Sequence, residues 1–169
     1  MKFKITLKID RKYGDLLPFN YQYEQSAVIY RILAQADTQY SSWLHENGYL
    51  LHERKRFKLF CYSPFIFEKV RPLPEAGCLK IIGERAVWYI SFIPEKSTLE
   101  FIQGIFAHQS FSIGNKKYQV AFDVVGVEAI SMPQLTEQMA FQAMSPICVK
   151  LHEDNKTQYL SPDNPMFAD

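Results

Sequence analysis

Two of the chain's four histidines and a dense run of cations fall between Ser41 and Phe60, in "SSWLHENGYLLHERKRFKLF". His45 stands near the end of a stretch with helical spacing. A helix C-terminus favours imidazolium, which suits a general acid. Arg54, Lys55, Arg56 and Lys58 follow within a few positions, a charge density suited to phosphate oxygens. The plainer readings are a surface histidine beside a helix end and a solvated basic loop. Lys58 differs from its neighbours because it opens an apolar strand pattern that should hold it in place. Tyr30 lies between Ile29 and Arg31, near the end of an apolar helical stripe, and reads from pattern alone as a half-buried tyrosine. Phe57, Phe60, Tyr62, Phe65 and Phe67 read as core before they read as a base-stacking surface.

Other chemistries lack their residues. "LHE" occurs at Leu44, Leu51 and Leu151, but none extends to the H-E-x-x-H zinc helix. The sequence has no Walker loop, no G-x-S-x-G and no carboxylate cluster able to hold two metals. Cys61, Cys78 and Cys148 are far apart and form no C-x-x-C. A nuclease made from these residues is expected to work without a metal or cofactor, in a reducing cytoplasm. No apolar run approaches the roughly 20 residues of a membrane span, and the alternating N-terminus "MKFKITLKID" is not a signal peptide.

The elements that must position these groups follow from periodicity. The chain has 169 residues, 47% hydrophobic and 15% aromatic, enough for a real core. Its net charge of +1 hides an asymmetry: residues 1–60 carry +4 and the remainder −3. The front third is therefore the expected meeting place for a phosphate backbone. Lys2 to Ile9 alternates strictly, which predicts a strand with Phe3, Ile5, Leu7 and Ile9 on one face. Lys4 and Lys8 on the other face read either as guards of a sheet edge or as phosphate contacts. Ile29, Ile32, Leu33 and Ala36 predict a first helix. Asp37 or Thr38 caps a short second helix, which Asn47-Gly48 ends. Phe57–Tyr62 predicts a strand. Leu79–Ile82 and Ala86–Phe92, around Gly83-Glu84-Arg85, predict a β-hairpin. Ser97-Thr98-Leu99-Glu100 has the form of a capping box, opening a helix with Leu99, Ile102 and Phe106 along its inner stripe. Lys116–Val127 predicts a final strand. This α+β order is the ferredoxin-like β-α-β-β-α-β unit, the scaffold of RNA-recognition modules, over residues 1–128. Residues 129–169 read as a linker and the first strands of a second, incomplete ferredoxin-like domain, with one strand in 138–151 and its partner in "NKTQYLSP".

Four segments in series, "LPFNYQYEQSAVIYRIL", "WLHENGY", "RFKLFCYSPF" and "FQAMSPICV", resemble the CRISPR-associated repeat-cleaving endoribonucleases. These are the sixth of the numbered Cas proteins, in the superfamily of repeat-associated mysterious proteins. The resemblance implies two tandem ferredoxin-like domains and cleavage of CRISPR repeat RNA without a metal. The 2′-hydroxyl is the nucleophile and a 2′,3′-cyclic phosphate the product. It places catalytic residues at Tyr30 (a candidate base), His45 (acid or base) and Lys58 (electrostatic stabiliser), with Arg54, Lys55 and Arg56 on neighbouring phosphates. Expected partners are the repeat transcript, other CRISPR-associated proteins and a second copy in a homodimer. The family's glycine-rich loop is missing from a chain with only seven glycines, so the sequence is expected to be an N-terminal portion. The alternative from another class is a non-catalytic RNA-binding or scaffold subunit of a CRISPR ribonucleoprotein.

Overall fold

Strict alternation makes β1 (Lys2–Asp10) a two-faced strand, with Phe3, Ile5, Leu7 and Ile9 all buried in a computed structural model of the chain. The structure describes every residue except 52–54, 132, 135, 141, 144–146, 154–155 and 168–169. The chain divides into two compact units, Met1–Gln134 and Leu135–Asp169.

In the first unit, β1 is followed by β2 (Leu16–Pro18), α1 (Gln22–Ala36) and α2 (Thr38–Glu46). Next come β3 (Tyr49–Leu51), β4 (Lys55–Phe57), β5 (Phe60–Tyr62), β6 (Ile66–Phe67), β7 (Val70–Leu73), β8 (Cys78–Ile81) and β9 (Arg85–Phe92). Then α3 (Glu95–Ala107), β10 (Ser110–Gly114) and β11 (Gln119–Ile130) complete the unit. The main sheet runs β10-β11-β1-β9-β5, with β6 also on β9, and all its pairings are antiparallel. Setting β10 aside as an added edge, β11-β1-β9-β5 is the fourth, first, third and second strand of a β-α-β-β-α-β unit. The expected ferredoxin-like fold is therefore present. Val28, Ile29, Ile32 and Leu33 of α1 and Phe101 and Ile105 of α3 join the inner residues of β1 and β9 in one core cluster.

Several details depart from expectation, each for a visible reason. β8 and β9 do not form a hairpin. β8 pairs with β2 and β7 in a separate three-stranded sheet, whereas β9 pairs with β1 and β5. The intervening turn is tied elsewhere: Gly83 N–H donates to the Lys69 carbonyl, and the Glu84 and Arg85 N–H groups donate to the Glu68 carboxylate. α3 begins at Glu95 with Pro94 at its cap and no side-chain cap, so Ser97-Thr98-Leu99-Glu100 is not a capping box. The helix is also turned from its expected face. Leu99 and Phe106 are exposed and Ile102 only partly buried, while Ser97, Thr98, Phe101, Gly104 and Ile105 face inward. Gly104 decides this: a Cβ there would lie 1.8 Å from the Ile32 carbonyl oxygen, so α1 and α3 touch backbone to backbone. Close helix approach outweighs burial of the more apolar stripe. The expected strand 57–62 is broken at Lys58-Leu59, and the final strand is preceded by an edge strand, β10, across the Gly114 turn.

The second unit contains an antiparallel hairpin of β12 (Lys150–Glu153) and β13 (Lys156–Tyr159), with Lys150 opposite Tyr159. Its first strand starts at Lys150, later than residue 138, and part of the segment 138–149 lies outside the described residues.

Candidate active site

The three residues predicted to be catalytic are grouped around the end of α2. Asp37 caps this helix by accepting from the Tyr40 N–H, and its carboxyl is held below the usual range chiefly by that bond. At the other end, the N–H groups of Asn47 and Gly48 both donate to the Trp43 carbonyl, at 2.8 and 3.2 Å. Gly48 takes a left-handed φ of +68° and turns the chain into the β3–β4 ribbon, which sets Tyr49 opposite Phe57. Lys58 follows immediately. Leu59 then adopts φ +55°, uncommon for a non-glycine residue, and redirects the chain into the main sheet, where Phe60 pairs with Phe92.

This double turn aims the Lys58 side chain back at α2. Its ammonium donates to the carbonyls of Leu44 and His45, each at 2.5 Å. Those carbonyls form the negative end of the helix dipole, so the cation sits where the helix favours one. Burial, with Arg56 nearby, pushes the Lys58 ammonium below its ordinary value. Arg56 itself donates to the Asn47 side-chain oxygen at 2.9 Å. His45, exposed in the last turn of α2, meets the edge of the Tyr30 ring with centroids 5.0 Å apart and planes at 82°. Ser41 ties the two helices there, donating to the Tyr30 carbonyl at 2.8 Å. Burial pushes the Tyr30 phenol up, with Tyr62 adding to the effect.

His45 thus links the other two: its ring meets Tyr30 of α1, and its carbonyl, at the end of α2, accepts from Lys58 of the β4–β5 break. The basic residues are dispersed. Lys4 is half-buried on the sheet face turned away from the core and ion-paired to Glu128 at 3.0 Å. Lys8 is exposed further along that face, with Arg85 and Asp123 as its register partners. Arg56 is exposed beside α2, Arg54 lies outside the described residues, and Lys55 is described only as a backbone partner of Leu51. Three residues given other roles from the sequence, a helix stop and two core aromatics, contribute here. Asn47 anchors Arg56. Phe60 packs its ring edgewise on Tyr30 at 5.8 Å, and Tyr62 stacks on Phe60 at 6.3 Å. The "KLFCY" segment marks the aromatics, but nothing in it marks the positive φ of Leu59 that orients them.

A four-stranded antiparallel sheet in this order, with helices packed on it, defines a ferredoxin-like domain. The family described as "CRISPR-associated protein Cas6, N-terminal" matches residues 16–123, and the chain belongs to that family. It is 25% identical over 174 residues to the CRISPR-associated endoribonuclease-like protein Cas6nc of Pyrococcus horikoshii, covering 100% of the chain and 66% of the relative. It is 26% identical over 168 residues to the CRISPR-associated endoribonuclease Cas6 1 of Methanocaldococcus jannaschii, covering 97% of the chain and 60% of the relative. The fold is shared with a solved Cas6-related protein from Pyrococcus furiosus, at TM-score 0.76 and 24% identity over 99% of this chain and 65% of that one. It is also shared with a structure described as "An RAMP protein binding different RNA substrates", at TM-score 0.74 and 24% identity, with the same coverage. The chain spans 60–66% of the length of these curated relatives.

Proposed function

We propose that this chain carries the catalytic residues of an endoribonuclease that cleaves CRISPR repeat RNA without a metal. The observation that supports it most is the convergence of Tyr30, His45 and Lys58 at the end of α2. The 2′-hydroxyl upstream of the cut attacks the adjacent phosphorus, the bond to the 5′-oxygen breaks, and a 2′,3′-cyclic phosphate remains. One proton leaves the nucleophile and one joins the departing oxygen. An imidazole can both give and take a proton through its two ring nitrogens, so His45 is the proton carrier, as acid or as base. Tyr30, with its phenol pushed up by burial, keeps its proton and enters as a hydrogen-bond donor. An ammonium has three donors. Two of those on Lys58 hold the end of α2, and the third is available to a phosphorane oxygen. Pre-set donors of this kind are typically worth ~2.7–4 kcal/mol at the transition state.

One observation favours a second reading, a non-catalytic RNA-binding subunit: the Lys58 bonds to α2 are a structural task that needs no substrate. A single-turnover assay on repeat RNA separates the two. Under the catalytic reading, a 2′-deoxy substitution just upstream of the cut abolishes cleavage and leaves binding nearly intact, and EDTA changes little. Tight binding with no cleavage of the ribose substrate establishes the second reading.

A further inference from the structure

On the opposite side of α2 from His45 lies a cleft of about 390 Å³, lined by Asp37, Gln39, Tyr40, Trp43, Tyr49 and Lys96. That volume falls within the ~300–1,000 Å³ usual for small-ligand sites. Trp43 is its centrepiece. The indole stacks on Tyr40 at 5.8 Å with planes 22° apart, and meets Tyr49 edgewise at 5.1 Å and 86°. It nevertheless keeps 39% of its surface exposed. Its two supports are locked. The Tyr40 hydroxyl bonds to that of Tyr49 at 2.9 Å and also to the buried Ser97 hydroxyl. Both phenol groups therefore point inward, and the ring surface presented outward is rigid. Lys96, projecting from the first turn of α3, places its ammonium 4.7 Å from the Tyr40 ring centre and 3.3 Å from the Asp37 carboxylate.

We propose that this cleft is a subsite for one unpaired nucleobase of the bound RNA, stacked on Trp43, with the adjoining phosphate on Lys96. The inference rests on the RNA-processing reading above and extends it to a surface outside the Tyr30–His45–Lys58 cluster. A fixed aromatic platform beside a cation is what a single strand needs, since every base offers a π-face and every nucleotide a charge. Trp43 and His45 are two residues apart on α2, so they face nearly opposite ways across a helix ~10–12 Å wide. A strand that presents its scissile phosphate to His45 reaches Trp43 within a few nucleotides by passing around the end of α2.

The chain's two tryptophans make the test direct, because Trp88 is fully buried and Trp43 is the accessible reporter. Titrate the 169-residue chain with short oligo(A) and oligo(U), following tryptophan emission and affinity, and measure cleavage of repeat RNA in parallel. Quenching by both oligonucleotides is expected. Trp43→Ala should weaken binding roughly 5- to 150-fold, the worth of one stacked base, while Trp43→Phe recovers part of the loss. Lys96→Gln should reduce the salt slope of binding by about 1. Quenching supports the subsite whether or not this chain cleaves, and the catalytic reading is decided separately by single-turnover cleavage with a chain that includes the rest of the protein. Cleavage by a chain whose emission does not respond overturns the subsite and leaves catalysis standing. Equal affinity of Trp43→Ala and wild type, with Trp43→Ala folded by circular dichroism, also overturns the subsite.

Discussion

Gly48 is the residue on which the candidate site turns, and substituting it should cost more than backbone strain alone. In the left-handed conformation, a non-glycine residue is disfavoured by ~1–2 kcal/mol. A Cβ at Gly48 would also lie 2.7 Å from the Phe57 carbonyl oxygen and 3.2 Å from Lys58 Cδ. The lysine carbon can move aside. The carbonyl cannot, because the pairing of Tyr49 with Phe57 fixes that backbone. Forcing the overlap adds an overpacking penalty of about 1–3 kcal/mol. Gly77 supplies the internal control: its φ is +64°, but nothing lies within 4 Å of an added Cβ. Gly77→Ala should therefore lose only the ~1–2 kcal/mol of strain, and Gly48→Ala a total of ~2–5 kcal/mol. Urea denaturation of both variants, with m-values checked for equality, gives the comparison. Relief of the overlap also pushes Lys58 away from the Leu44 and His45 carbonyls, so Gly48→Ala should slow repeat cleavage while Gly77→Ala does not. Equal losses of stability would refute the close approach of β4 to the end of α2, and with it the positioning of Lys58.

Three further outcomes are expected. In single-turnover assays on a chain that includes the rest of the protein, His45→Ala should slow cleavage by ~10²–10⁴, with little change in unfolding midpoint; a wild-type rate would remove His45 from the chemistry. The orientation of α3 is tested by a pair: Phe101→Ala, at a fully buried ring, should cost about 3–5 kcal/mol, whereas Phe106→Ser, 60% exposed, should stay within ~0.5 kcal/mol. Urea midpoints that reverse this order would restore the face expected from periodicity. Burial raises the folded-state values of Tyr21, Tyr30 and Tyr40 above 10.0. The unfolded chain therefore loses these protons first, and the stability they contribute is present below pH 10.0 and declines as pH rises through the folded values. The urea midpoint should fall between pH ~8 and ~11, and less so in Tyr40→Phe; a flat profile would contradict the burial of these phenols.

The parts of the fold that could be read from the sequence are those governed by one local rule. β1 has period two, α1 has a clean stripe, and Asn47-Gly48 ends α2 by backbone geometry that only a few residue types accept. The misreadings share a cause, in that a non-local contact overrode a local pattern. Leu99, Ile102 and Phe106 make the more apolar stripe of α3, yet Gly104 must face Ile32 for α1 and α3 to approach, and that rotates the helix. The turn after β8 looks like a hairpin, but Glu68 and Lys69, distant in sequence, claim its N–H groups. The site follows the same division. Tyr30, His45 and Lys58 could be picked out by type and resemblance. That Lys58 reaches back to the carbonyls of α2 depends on the β3–β4 ribbon and on the positive φ of Leu59, neither of which residue types reveal.

β1 finds both of its neighbours far downstream: Lys2 is set against Ser91 on β9 and Ile130 on β11. During synthesis this strand emerges well before both partners, with an apolar face and two open edges until β9 and then β11 follow. Such a strand is a template for association with other nascent chains. The lysines interleaved with Phe3, Ile5, Leu7 and Ile9 are therefore gatekeepers during synthesis, before Lys4 settles against Glu128. One part of the candidate site, the hold of Lys58 on the end of α2 through the β3–β4 ribbon, needs only pairings close in the chain. The seat of Phe60 against Tyr30 waits for β9, as β1 does, so the site and the sheet are completed by the same strand.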